Sequence, residues 1–299
     1  MKRPLDRRLL GRALTRLANA GVEDVLAMAP EPQPGGAGAR RVGLTGAPGS
    51  GKSTLAGRLG LHRARRSGGR VAVLAIDPTS PKSRGAILGD RIRMDDLEGS
   101  EELFIRSFAS RSASDGLTDN LPELLDLMDS FDFDEVLLET VGVGQAEYAA
   151  RTQVDSLVLV LPPDGGDAVQ AMKAGIMEVA DVYVVNKADL PQAPKMAAEV
   201  RRIVALTHRD GDGWVPPVLL TSTANPSSIA AVSDQLDRHF DWLATTGRRE
   251  QARMGRRKYR LRRWLERKID DAIESQPASF FDMPAEQQVA GVLDALVQL

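Results

Sequence analysis

Seven short apolar runs punctuate the middle of the chain: RVGLT (41–45), RVAVLAI (70–76), ELFIRS (102–107), DEVLLE (134–139), SLVLVL (156–161), DVYVVN (181–186) and PVLLT (217–221). Each has strand length, and the apolar positions follow one another instead of alternating, which predicts strands buried on both faces. Helical stretches or loops lie between most of them, and the segment after Gly51 is predicted to be a helix. Strand–helix alternation of this kind predicts an α/β fold with a mostly parallel sheet covered on both sides.

The flanks follow a different period. Leu9, Leu10, Leu14 and Leu17 make a helical stripe near the start, expected to pack on the protein. APEPQPGGAGAR (29–40) is rich in Pro and Gly and reads as a linker. Beyond about residue 246 the chain turns basic. There Leu261, Trp264, Leu265, Ile269, Ala272 and Ile273 mark one apolar helix face, and arginines occupy the rest. A last helix, roughly 284–298, carries Val289, Val292, Leu293, Leu296 and Val297. The expected organisation is an N-terminal helical region with its linker (1–38), an α/β core (39–246) and a C-terminal helical arm (247–299).

Composition narrows the chemistry. A net charge of -2 over 299 residues gives no general case for nucleic-acid binding, and a solvated helix face is the commoner meaning of the arginine run. The absence of cysteine excludes disulfides, thiolate metal sites and a cysteine nucleophile. His62, His208 and His239 lie far apart and are expected on helix surfaces. No apolar stretch is long enough to span a bilayer. The arginine-rich start suggests a mitochondrial presequence, but Asp6, Glu23 and Asp24 argue against it, so the expected compartment is the cytoplasm.

Three motifs carry the chemistry. GLTGAPGSGKST (43–54) contains the phosphate-binding spacing Gly46-Ala47-Pro48-Gly49-Ser50-Gly51-Lys52-Ser53, followed by Thr54, between a predicted strand and a predicted helix. Glycines let backbone N–H groups turn inward around phosphate oxygens, and the helix N-terminus adds partial positive charge. Lys52 is expected to reach the β- and γ-phosphates and Ser53 to ligate Mg²⁺. Asn186-Lys187-x-Asp189 ends another strand and reads as a guanine reader: a carboxylate accepts from the ring N1–H and the exocyclic amine, whereas adenine sets a lone pair against it. Ser222, Thr223 and Ala224, at the end of the next strand, are the expected base-flanking segment. Finally, Asp77 and Asp90 lie at a strand end and after a Gly-rich turn, where carboxylates serve as Mg²⁺ partners or as ordinary helix caps.

With these motifs stand Asp77-Pro78-x-Ser80, Ile87-Leu88-Gly89-Asp90, Glu139-Thr140-Val141-Gly142-Val143-Gly144-Gln145, Gly165-Gly166-Asp167 with Gln170, and Gly175-Ile176-Met177-Glu178. In this combination, over about 40 to 225, the sequence resembles the MeaB/ArgK-like P-loop GTPases, the family of the methylmalonic aciduria type A protein. It departs from them at Pro81–Arg84 and at Ala146. The resemblance implies a GTPase with GTP/GDP and Mg²⁺, slow alone and faster on its partner. It implies a chaperone that gates adenosylcobalamin on a cobalamin-dependent acyl-CoA mutase, with an adenosyltransferase as a further partner. It also implies a homodimer formed with the C-terminal helices. Glu139, where most nucleotide switches carry aspartate, would hold the Mg²⁺ hydration shell or the attacking water. Gly142 would bring a backbone N–H to the γ-phosphate, and Gln145 is a candidate for orienting water. Asp167, Gln170 and Lys173 match a third switch loop, although their residues read equally as a loop followed by an amphipathic helix.

Other readings are a GTPase serving nickel-enzyme maturation, which needs Cys/His delivery ligands, and a transport-protein kinase of the ArgK type, which the guanine reader disfavours. The sequence leaves open which acyl-CoA mutase is served.

Overall fold

The computed structural model describes residues 4–28, 38–78, 103–110, 118, 120–140, 145–164, 179–207 and 213–298. Strands β1 (Arg40–Thr45), β2 (Val71–Pro78), β3 (Leu103–Ser110), β4 (Glu135–Glu139), β5 (Ser156–Leu161), β6 (Val182–Val185) and β7 (Val218–Leu220) form one sheet in the order β3-β2-β4-β1-β5-β6-β7. Every neighbouring pair is parallel. All seven predicted strands are present, with ends shifted by a few residues. Around the sheet lie α1 (Arg7–Ala18), α2 (Val22–Met28), α3 (Lys52–Ser67), α4 (Leu121–Ser130), α5 (Gln145–Gln153), α6 (Ala193–Thr207), α7 (Pro226–Thr245), α8 (Arg248–Glu274) and α9 (Ala285–Gln298). No helix among the described residues is long and apolar enough to cross a membrane.

Successive strand residues point to opposite faces, and both faces are filled. On one, Val136 and Leu138 of β4 join Leu124, Leu125 and Met128 of α4 and Leu10, Leu14, Leu17 and Val25 of α1 and α2. On the other, Leu137 meets Leu55 and Leu59 of α3 and Ile229, Val232, Leu236 and Phe240 of α7. Every residue of β4 and β5 is buried, which is why Val136–Leu138 and Leu157–Leu161 read as unbroken apolar runs. The first helix starts at Asp6, whose carboxylate accepts the Leu9 N–H at 2.8 Å. Its stripe is narrower than predicted: Leu9 itself is 48% exposed.

Helix α8 inverts the usual rule. Its arginines meet the core: Arg256 pairs with the buried Asp155 at 2.9 Å, Arg260 pairs with Asp126, and Arg267 donates to Asn120 Oδ1 at 2.5 Å. Leu261 and Leu265, about half a helical turn away, are 54% and 52% exposed, and Ile269 joins them. The predicted apolar face therefore exists, but except for half-buried Trp264, packed on the core, and buried Ala272 it points away from the sheet.

The expectation for His239 is overturned. It is fully buried, its Nδ1 lies 2.7 Å from Ser156 Oγ, and its Nε2 lies 3.4 Å from Asp181 Oδ1. Trp242 stacks on it at 5.5 Å and Trp214 tilts against it at 4.7 Å. Helix α7 turns this ring inward against the start of β5, an arrangement that helical spacing does not encode.

Burial pushes His239 down to about 4 from an ordinary 6.5, and pushes Asp181 up to about 6 from 3.8. Between pH 4 and 6.5 the unfolded chain binds the His239 proton and the fold does not, so this residue's contribution to stability rises with pH. Between pH 3.8 and 6 the fold keeps the Asp181 proton and the unfolded chain does not, so that contribution falls with pH. The two slopes oppose each other. In His239→Gln only the acid's slope remains. The stability difference from the parent chain should widen as pH falls from 6.5 to 4 in the variant's favour, by on the order of 3 kcal/mol. Urea unfolding of both proteins at four pH values reads it, and a flat difference would show that His239 titrates normally in the fold.

Candidate functional site

The carboxyl ends of the parallel strands gather the predicted chemistry along one edge, where open α/β sheets bind ligands. β1 pairs with β4 so that Leu44 lies opposite Glu139, and Ala75 of β2 lies opposite Glu139 on the other side. The loop that leaves β1 is thereby set beside the end of β4. It runs from Gly46 through Ala47, Pro48, Gly49 and Ser50 to Gly51, and α3 begins at Lys52.

Two of its glycines are dictated by space. A Cβ on Gly46 (φ +142°) would sit 2.0 Å from the Val160 carbonyl oxygen, and one on Gly51 (φ +89°) would sit 2.4 Å from Asn186 Nδ2. Only glycine combines these backbone angles with so close an approach. Lys52 bends back over the loop and donates to the Gly46 and Ala47 carbonyls at 2.8 and 3.0 Å, which places its ammonium inside the cradle. Thr54, half-buried, follows on the first turn of α3.

Ser53 donates to Glu139 Oε1 at 2.7 Å, and both residues are buried. A hydroxyl and a carboxylate in contact are the donor set of a hard divalent cation such as Mg²⁺. The hydroxyls of Thr45, Ser50 and Thr140 are also buried here, without a hydrogen-bond partner among the described residues. Such groups are costly unless something polar joins them, so the residues present fit a triphosphate and its metal ion.

The expected base side is built from β6 and β7. Asn186 donates through Nδ2 to the Ser50 carbonyl at 2.8 Å and accepts from the Thr221 hydroxyl at 2.9 Å. Its amide thus ties the phosphate loop to the base loop. Lys187 adopts a left-handed backbone (φ +54°), a strained conformation for a residue with a side chain, and turns the chain so that Asp189 is exposed. Ser222 donates to Asp189 Oδ1 at 2.7 Å. This bond, before any other cause, holds the Asp189 carboxyl below its ordinary 3.8, so it presents acceptors at neutral pH. The turn Ser222–Asn225 closes through Asn225 N to Ser222 O at 3.0 Å and is anchored by Ser228 of α7, which accepts the Ser222 N–H at 3.2 Å.

Of the predicted site residues, the structure brings together Gly46 to Thr54, Glu139, Asn186, Lys187, Asp189 and Ser222 to Ala224. Asp77 and Gln145 are placed by their backbone alone, at the end of β2 and the start of α5. Asp90, Gly142, Asp167, Gln170 and Lys173 lie outside the described residues. Ser228 and Arg58, both of which hold the base loop, belong to no motif and have no sequence signal.

If the Asn186 bridge supports the site, Thr221→Val, which keeps the shape and deletes the hydroxyl, leaves a buried amide oxygen short of a partner. A loss of about 1–3 kcal/mol in denaturant unfolding is expected. Unchanged stability would mean that Ser50 alone holds Asn186.

The chain is similar to several known proteins. It shares 35% identity over 282 residues, 91% of this chain and 85% of the relative, with a protein of Caulobacter vibrioides that is named as a GTPase. It shares 36% identity over 236 residues with the mitochondrial methylmalonic aciduria type A homolog of Caenorhabditis briggsae, covering 78% of this chain and 56% of that one. Among solved structures, a LAO/AO transport system kinase superposes with a TM-score of 0.68 at 24% identity, over 98% of this chain and 94% of the other, a likeness of fold. The family model for the methylmalonyl-CoA mutase-associated GTPase MeaB matches residues 10–278, and the chain belongs to that family.

Proposed function

We propose that this protein binds and hydrolyses GTP and acts as a chaperone that gates adenosylcobalamin loading and release on a cobalamin-dependent acyl-CoA mutase. The observation that carries the nucleotide reading is the convergence, on one sheet edge, of the Lys52 cradle, the Ser53–Glu139 pair and the Asp189–Ser222 pair. The mutase partner rests on the family.

In this reading the Lys52 ammonium leaves the Gly46 and Ala47 carbonyls for β- and γ-phosphate oxygens, and the loop N–H groups complete the cradle. Mg²⁺, when bound, neutralises the charge that builds on the phosphates during transfer. Ser53 and Glu139 are its proposed holders, together with Asp77 and Asp90. Glu139 also orients the attacking water, with Gln145 as a second candidate, and Gly142 meets the γ-phosphate. Asp189 accepts from guanine N1–H and the amine, and the Lys187 stem covers the base. Asp167, Gln170 and Lys173 form a third switch loop that answers to nucleotide and partner. Hydrolysis is slow alone and stimulated by the mutase, in the cytoplasm, and an adenosyltransferase is the further partner. Residues 1–38, 39–246 and 247–299 are the proposed division into N-terminal region, GTPase domain and dimerisation arm.

The guanine reading predicts that titration calorimetry will find tight GDP and GTP and weak ADP and ATP. Asp189→Asn should shrink the preference by roughly ten- to hundredfold, since an amide can donate to adenine N1. Equal affinity of the parent chain for GTP and ATP would overturn it.

The outward stripe of α8 supports a homodimer. Leu261 and Leu265 expose side chains whose burial contributes roughly 1.5–3 kcal/mol each, and a two-fold contact doubles their number. The double variant Leu261→Asp/Leu265→Asp should become monomeric in light scattering, keep GDP binding and lose mutase-stimulated hydrolysis. A parent chain that stays monomeric at high micromolar concentration would exclude the dimer.

A further inference from the structure

The base loop is held from a direction that the base-reading motif does not predict. Arg58 lies on α3, six residues beyond Lys52, with an exposed side chain. Its Nη1 crosses to the base loop and donates to the Thr223 carbonyl oxygen at 2.8 Å. Helix α3 begins at the phosphate loop, so this bond is a second tie between the phosphate side and the base side, on the outside, where Asn186 is the buried one.

The tie has a directional consequence. In a trans peptide the C=O and the following N–H lie in one plane and point in opposite directions. Pinning the Thr223 carbonyl toward α3 therefore aims the Ala224 N–H away from α3. There it meets Ser222 Oγ at 3.3 Å, the same hydroxyl that donates to Asp189. At 3.3 Å that contact is longer than an ordinary N–H···O bond, so the N–H is poorly used and can be taken over by a better acceptor beside the Asp189 carboxylate. The guanine edge offers one: its 6-oxo oxygen lies next to the N1–H that Asp189 is proposed to accept.

We propose that Arg58 is a positioning residue for purine recognition: by holding the Thr223 carbonyl it turns the Ala224 N–H toward the 6-oxo group of the bound base. The role rests on the guanine reading given above. It acts through the loop, not by touching the nucleotide, and it makes the base selectivity of this chain depend on a side chain of the phosphate-loop helix. Asp189 selects for N1–H and the amine, and Arg58 secures the donor for the oxygen beside them.

The test is calorimetry of the full chain with GDP, 6-thio-GDP and ADP. 6-Thio-GDP keeps the N1–H and the amine but replaces the oxygen acceptor with a weak sulfur one. Arg58→Ala should weaken GDP by about two- to tenfold, the worth of one net hydrogen bond, and leave 6-thio-GDP nearly unchanged. The GDP to 6-thio-GDP affinity ratio then shrinks by the same factor. Arg58→Lys, which keeps a cationic donor, should recover part of the ratio, and Arg58→Gln serves if the alanine variant folds poorly. An equal loss for both guanine nucleotides would reveal a general structural role and overturn the proposal, as would unchanged binding of both. If the parent chain shows no preference for GDP over ADP, the guanine reading itself fails and this role falls with it. A preserved GDP preference with an unmoved ratio removes only the role of Arg58.

Discussion

One buried amide holds the nucleotide end of this molecule together. Asn186 donates to the carbonyl of Ser50 and accepts from Thr221, so a single planar group spans the phosphate loop, the end of β6 and the end of β7. The two bonds have no slack, since the amide is 4% exposed and a Cβ on Gly51 would meet its nitrogen at 2.4 Å. The close packing of Gly51 and the alignment of the base loop are both consequences of that contact. A nucleotide bridging the two loops would find their separation already set, which lowers the ordering cost of binding.

The Ser53–Glu139 contact is arranged by sheet register. Glu139 and Ser53 are 86 positions apart, yet the β1–β4 pairing brings the end of one strand beside the loop leaving the other. A one-residue slip would turn Glu139 to the opposite face of the sheet. The side chains of β4 and β5, buried throughout, make such a slip costly. Core packing and site chemistry are thus the same constraint seen from two ends of the strands.

At the far end of the sheet, charge does the work that apolar contact does elsewhere. Asp155 accepts the Arg41 N–H at 3.0 Å and pairs with Arg256 at 2.9 Å, while Asp126 is shared by Arg41 and Arg260. A buried ion pair contributes less net stability than its Coulomb attraction suggests, but losing one partner is expensive. The α8 arm is therefore held in one register by directional contacts, and its leucines stay on the surface.

The strands were legible because a strand covered on both faces is apolar at most of its positions, with polar residues mainly near its ends. The phosphate loop and the Asn186–Asp189 turn were legible as local features: glycine spacing and a tetrapeptide at a strand end mark them without distant help. Other features were not, and the reason is common to them. Helical spacing distinguishes the two faces of α8 but not which of them meets the core, because Asp126 and Asp155, more than a hundred positions earlier, make the arginine face the inner one. The inward turn of His239 depends on Ser156 and on two tryptophans brought by other segments, and Arg58 gains its partner 165 positions away. By itself the sequence determined the elements, the fold class and the strand ends at which the two motifs stand. The tertiary structure alone decided which faces are inside and which distant polar groups meet, since a polar side chain can be buried wherever the fold supplies its partner.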